Sequence, residues 1–150
     1  MKPRFYKNTD NNHCLQCCIR MVLNTVLTEQ VTETVVDKET DYDSNLWTWT
    51  IAGAKVLSQR LKDIKIVNGG FDYKRFAYDG AAYLKEIWEN GRYTEQSNHA
   101  SKGFEKEIKL TFSFLNTGGI VERMKFSKAK IDKLLKNNFI LVQIDHSRLY

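Results

Sequence analysis

A cysteine lies where a polar loop changes into an apolar helical pattern. The segment from Asn8 to Leu23 reads Asn-Thr-Asp-Asn-Asn-His-Cys-Leu-Gln-Cys-Cys-Ile-Arg-Met-Val-Leu, and Cys14 stands at the change. From Cys14 onward apolar residues recur at helical spacing, and Asp10 to Asn12 are suitable N-cap residues. In a first helical turn the unpaired backbone N–H groups and the helix dipole favour a thiolate. We therefore interpret Cys14 as a candidate nucleophile, and the competing interpretation is a buried, small apolar residue.

This segment resembles the N-terminal motif of papain-like cysteine peptidases of the bacteriocin-processing, double-glycine type. Those peptidases begin with a glutamine, a short polar loop and Asp-Cys-Gly-x-Ala, followed by an apolar helix that often contains Met-Val-Leu. A guanylyl-cyclase-like group of the same fold, with Cys-Gly-Leu-Ala-Cys before Met-Val-Leu, is closer still. The resemblance implies that Cys14 is the nucleophile and that Asn8 occupies the position of the oxyanion-hole glutamine. Two residues depart from the pattern, because Leu15 replaces a glycine and Asn8 is one methylene shorter than glutamine.

A cysteine nucleophile needs a base, and the chain contains three histidines. His13 adjoins Cys14, but adjacent helical residues do not face each other, and His99 lies in a polar stretch where we expect it to be exposed. His146 follows the apolar run 139–144 and is the candidate base. The resemblance implies that the family base begins a further strand. We therefore expect the chain to lack the true base and its orienting acid, as a fragment or an inactive relative, and the alternative is that His146 serves as a substitute base.

Length and composition exclude several classes of protein. The chain has 150 residues, a hydrophobic content of 42% and a formal net charge of +5, which suit one domain over residues 1–150. The resemblance implies that this domain is incomplete at its C-terminus. Its lysines are scattered and no apolar run approaches about 20 residues, so we expect neither nucleic acid nor a membrane as partner. Three cysteines within one short segment, without a signal peptide, predict a cytoplasmic protein. The resemblance implies a peptide or protein substrate.

The order of the periodic segments predicts an α+β fold. Helical patterns come first, and a late strand–helix–strand unit follows them. The resemblance implies the papain-like version, in which a helical half packs on a small antiparallel sheet, here with a truncated C-terminus. The predicted helices are 12–27, a short one around 31–36, 46–61, 81–89, 104–115 and 127–136, and the predicted strands are 64–67, 120–125 and 139–144.

Two other classes of function are alternatives. A zinc site could use soft ligands at close spacing, but the second half of such a motif is missing, so we predict no metal and no cofactor. Its ligands would be His13, Cys14, Cys17 and Cys18. The other alternative is a catalytically inactive peptide-binding domain with an aromatic groove formed by residues 71–88. The competing interpretation of those aromatic residues is that they form the core.

Overall fold

The computed structural model describes residues 4–8, 12–27 and 30–142. In this part of the chain the architecture is α+β, with eight α-helices and a two-stranded sheet. In chain order the elements are α1 (Cys14–Val26), α2 (Glu33–Thr40), α3 (Thr50–Ser58), β1 (Lys65–Asn68), α4 (Tyr73–Asp79), α5 (Ala81–Ile87), α6 (Asn90–Asn98), α7 (Glu105–Asn116), β2 (Ile120–Arg123) and α8 (Lys128–Leu135). Among these helices none has both the length and the apolar character that a bilayer crossing requires.

Helices α1, α2 and α3 enclose an aliphatic core. Ile19 and Leu23, one turn apart on α1, are fully buried and pack with Val36 of α2 and Val56 of α3. Their spacing of four residues places both side chains on one face of α1, as the apolar periodicity predicts. Helix α2 begins after Thr32, whose side chain accepts a hydrogen bond from the backbone of the first turn. The predicted first helix, 12–27, is confirmed to within two residues at its start.

A second core is aromatic and involves α4 to α7. Phe76 and Phe104 are fully buried, and the ring centroid of Trp49 lies 5.5 Å and 5.6 Å from theirs. Phe71 and Trp88 pack at the edge of the same cluster. The aromatic residues around 71–88 therefore contribute mostly to core packing, where each buries a large apolar area.

The sheet is parallel, so the prediction of an antiparallel sheet is wrong. Lys65 of β1 is paired with Ile120 of β2, and Asn68 is paired with Arg123 at the other end. Helices α4 to α7 lie between the two strands in sequence, and a crossover of this kind returns the chain in the same direction. Phe114 of α7 packs against the sheet and α3, which joins the two cores.

The C-terminal part of the described chain has less burial than its sequence predicts. Ser127 caps α8 as predicted, with its hydroxyl accepting a hydrogen bond from the backbone N–H of Lys130. However, Ile131 and Leu135, which were expected to point inward, are 37% and 55% exposed. The predicted strand 139–144 is wrong for residues 139–142, which form no strand, and its last two residues lie outside the described part. An apolar run becomes a strand only when a neighbouring strand completes its hydrogen bonds.

Candidate functional site

Cys14 is the first residue of α1, and its thiol is free and exposed. The backbone N–H of His13, the preceding residue, donates a hydrogen bond to Asn8 Oδ1 at 3.2 Å. The Asn8 side chain therefore lies at the N-terminus of α1, one residue from the candidate nucleophile. Because the amide oxygen of Asn8 is engaged, its NH2 group is the part that can donate to an oxyanion.

Leu15, which replaces the glycine of the peptidase motif, has a packing role. Its Cδ1 atom lies 3.1 Å from the position that a Cβ would occupy at Gly53 on α3. Helices α1 and α3 therefore approach closely at this point, and the glycine accommodates the leucine. The side chain that could crowd the site is thus directed at a neighbouring helix.

The three cysteines of α1 occupy different environments. Cys14 is exposed, Cys18 is half-buried and Cys17 is only 3% exposed. Burial raises the pKa of the Cys17 thiol, and the nearby Glu33 carboxylate raises it further. Burial also raises the pKa of Cys18, with a smaller contribution from Cys14. The fold therefore keeps the Cys17 and Cys18 thiols protonated and leaves Cys14 as the accessible one.

His13 is directed toward α2, a contact that the sequence did not predict. It is 9% exposed, and its Nε2 atom lies 3.3 Å from Asp37 Oδ2. Its ring centroid is 4.0 Å from that of Tyr42. Asp37 was assigned to a loop from the sequence but belongs to α2, where Glu33 precedes it by one turn. The spacing Glu-x-x-x-Asp, which places both carboxylates on one helix face, is the signal that could have identified this pair.

Two clefts flank the loop that joins α2 to α3. The larger, of about 660 Å³, is lined by loop residues 41–44 and 46, together with Ser101 and Lys106. The smaller, of about 170 Å³, is lined by Asn12, loop residues 44–47 and His99. Asn12 Nδ2 also donates a hydrogen bond to the backbone oxygen of Ser44 at 3.0 Å, which attaches this loop to the segment before Cys14. The two clefts share Ser44 and Leu46 as lining residues, and the smaller one also contains Asn12, which lies two residues before the start of α1.

His99 is half-buried, although the sequence predicted an exposed residue. Its ring stacks on Trp47, with centroids 4.0 Å apart and planes 7° apart. Its backbone oxygen accepts a hydrogen bond from the backbone N–H of Trp47 at 2.8 Å. The polar sequence around His99 carries no sign of this contact, because Trp47 lies fifty-two positions earlier in the chain. The structure thus adds an imidazole to the cleft that ends at Asn12.

His146, the candidate base from the sequence, lies outside the described residues, so its position relative to Cys14 stays a prediction. Comparisons of the chain with protein-family models, with curated proteins and with solved structures found no match. The resemblance of residues 8–23 to papain-like peptidases also stays a prediction. The function must therefore be argued from the geometry of the site.

Proposed function

We propose that this chain is a papain-like, cysteine-dependent hydrolase domain that cleaves a peptide or amide bond through Cys14. The observation that supports the proposal best is the exposed thiol at the first residue of a 13-residue helix, with the Asn8 side chain at the same helix end. A helix N-terminus stabilises negative charge, both on a thiolate and on a nearby oxyanion. With three free thiols, we assign the protein to a reducing compartment, the cytoplasm.

The proposed reaction has two steps. Cys14 Sγ attacks the carbonyl carbon of the scissile bond, and the resulting oxyanion is held by the Cys14 backbone N–H and the Asn8 amide. A base takes the thiol proton and returns it to the leaving amine as the C–N bond breaks. Water then hydrolyses the thioester, which releases the acid and regenerates the thiol.

Two histidines are candidates for the base. His146 is a candidate because it follows the apolar run 139–144 and could substitute for the base that the resemblance places on a further strand. His99 lines the small cleft together with Asn12, two residues before Cys14, and its ring orientation is fixed by Trp47. Substituting each histidine by alanine and measuring the hydrolysis rate identifies the base, because loss of a general base slows catalysis by about 10²–10⁴-fold.

The first experiment measures whether the fold activates Cys14. The chain is alkylated with iodoacetamide at pH 6 in its native state and in denaturant, and the rate at each cysteine is followed by mass spectrometry. We expect native Cys14 to react on the order of ten-fold faster than the same cysteine in the unfolded chain, because the thiolate is the reacting species. A native rate equal to or below the unfolded rate would mean an exposed thiol without activation, and the hydrolase proposal would fail.

The second experiment measures catalysis directly. Purified protein is incubated with a library of fluorogenic peptides, and Cys14→Ser serves as the inactive control because it keeps the size and exposure of the side chain. Hydrolysis that is lost in Cys14→Ser supports the proposal. Hydrolysis that persists in this variant would come from a contaminant or from a different site.

The alternative proposal is a catalytically inactive peptide-binding domain. The two neighbouring clefts around loop 41–47 favour it, because the larger volume is in the range of ligand pockets and Trp47 is 41% exposed beside the smaller one. Peptide binding that is retained in Cys14→Ser but weakened by Trp47→Ala, without turnover in the wild-type protein, would favour this alternative.

A further inference from the structure

A histidine and two carboxylates converge between the start of α1 and the first two turns of α2. The nearest ligand atoms of His13, Glu33 and Asp37 all lie within 4.8 Å of one another. Within this group, His13 Nε2 lies 3.3 Å from Asp37 Oδ2. Ligand atoms around one zinc ion lie about 3–3.5 Å apart, because Zn–N and Zn–O bonds are about 2.0–2.2 Å long. Small side-chain rotations would therefore place all three groups on one ion.

The packing of α1 against α2 holds these residues in place. Glu33 and Asp37 are four residues apart on α2, so their side chains lie on one face. The same face of α2 carries the contact of Val36 with the aliphatic core of α1. The site is therefore built on two packed helices, which fix ligand positions better than loops do.

The Asp37 side chain is 27% exposed, and its two carboxylate oxygens differ in their surroundings. Asp37 Oδ1 is buried and has no hydrogen-bond partner among the described residues, while Oδ2 faces His13. A buried carboxylate oxygen without a donor is unfavourable, and a metal ion satisfies it without any additional donor. This observation is independent of the convergence of the three side chains.

The charges and the exposure of the cluster also suit a divalent cation. Arg20 Nη1 donates to Glu33 Oε2 at 2.8 Å, so one positive charge is paired with one of the two carboxylates. The guanidinium of Arg20 also lies over the Tyr6 ring, 4.1 Å from its centroid. With His13 neutral, the group of four side chains has a net charge of −1. Glu33 and Asp37 retain 40% and 27% side-chain exposure, which gives an ion a route from solvent.

We propose that His13, Glu33 and Asp37 bind a divalent transition-metal ion, with Zn²⁺ as the best match to one imidazole and two carboxylates. Three protein ligands leave a fourth coordination position for water. The ion connects the residue that precedes Cys14 to α2, and so fixes the first turn of α1. The sequence predicted no metal, because the only candidate ligands considered were the cysteines and His13. This proposal does not depend on the hydrolase proposal.

Calorimetric titration of the reduced protein with Zn²⁺ tests the site. We expect one equivalent to bind, and we expect Asp37→Asn and Glu33→Gln each to weaken binding by at least about ten-fold, since each removes a ligand charge. Asp132→Asn, on exposed α8, is the matched acid-to-amide control, and Cys14→Ser removes the exposed thiol. Both controls should bind as the wild type does.

The outcomes separate the proposed site from its competitors. The absence of stoichiometric binding would leave His13 and Asp37 as a simple ion pair and would overturn the proposal. Binding that disappears in Cys14→Ser but persists in Glu33→Gln would place the ion on thiols and would also overturn it. As a second measurement, Zn²⁺ should raise the melting temperature of the wild type but not that of Glu33→Gln, whose half-exposed position allows the fold to form.

Discussion

The exposed N-terminal end of α1 and its buried side contain the same residue type in opposite roles. Cys14 and Cys17 are less than one helical turn apart, yet Cys14 is exposed and Cys17 is buried. Burial and the Glu33 carboxylate raise the pKa of Cys17, whereas Cys14 lies at the helix end that Asn8 reaches. Residues three apart lie on the same helix face, so the difference in exposure comes from position along the axis: Cys14 is the first residue of α1, whereas Cys17 packs almost one turn further in.

The buried side also combines two kinds of contact. Ile19 and Leu23 pack into the aliphatic core, while Gln16 is fully buried and makes polar contacts. Its Nε2 donates to Thr48 Oγ1 at 2.9 Å and to Thr40 Oγ1 at 3.2 Å, on the segments that flank the cleft loop. The buried side of α1 therefore stabilises the fold and positions the cleft loop. The exposed end of α1 carries the candidate nucleophile.

Truncation of the buried side should have the largest effect. We expect Leu23→Ala to lower the free energy of unfolding by about 2–5 kcal/mol, because it removes a fully buried side chain and leaves a cavity. Cys14→Ser, at the exposed end of α1, should change the free energy of unfolding by no more than about 0.5 kcal/mol. Urea denaturation of both variants measures the difference. Similar losses of unfolding free energy in the two variants would contradict the assignment of Leu23 to the buried side and of Cys14 to the exposed end.

Removal of the buried amide should have an intermediate effect. We expect Gln16→Leu to cost about 1–3 kcal/mol, because Thr40 and Thr48 lose the amide donor of a buried side chain. Gln30→Leu is the matched control, since Gln30 is exposed. The measurement is again urea denaturation. If Gln16→Leu is as stable as the control, the amide contributes no net stabilisation and the loop is held by other contacts.

Local patterns predicted the parts of the fold that short segments determine. Helix α1, the strand around 64–67, the helix that contains Phe112 and Phe114 and the cap at Ser127 are confirmed, because periodicity and capping depend on neighbouring residues. Helix α6 (Asn90–Asn98) was not recognised, since its sequence is polar and it has no buried residues. Of the predicted site, Cys14 and Asn8 lie at one helix end.

The remaining differences involve contacts between distant residues. Strand direction depends on how α4 to α7 return the chain, and β1 and β2 carry no local sign of it. His99 acquires its position from Trp47, and the carboxylates of α2 meet His13 only after two helices pack. Such pairings are invisible in a single sequence, because no periodic pattern links the partners.

The contact between Leu15 and Gly53 should have a smaller effect on the free energy of unfolding, and the sign of this effect can be predicted. Ala in place of Gly53 should gain about 1 kcal/mol of helix propensity, but its Cβ would crowd Leu15 Cδ1 and Ile19 Cδ1. We therefore expect Gly53→Ala to be more favourable by at least about 0.5 kcal/mol in a Leu15→Ala background than in the wild type. A double-mutant cycle of unfolding free energies measures this coupling. Additive effects would mean that Leu15 does not pack on α3.

The alkaline pH dependence of stability should show the smallest effect. Because the folded state raises the Cys17 pKa above its ordinary value of 9.0, the thiol holds its proton more tightly in the fold than in the unfolded chain. The stabilisation of the fold by the protonated Cys17 thiol is fully present below pH 9 and is lost as the pH rises through the folded pKa. Stability measured by urea denaturation between pH 8 and about pH 10 should therefore fall less steeply in Cys17→Ala than in the wild type.

Val22→Ala, a truncation on the same buried side, should lower the whole curve without changing its slope, since it removes no titrating group. Equal slopes in Cys17→Ala and the wild type would show that the Cys17 thiol titrates as it does in the unfolded chain. Cys14 and Cys17 would then differ in exposure alone.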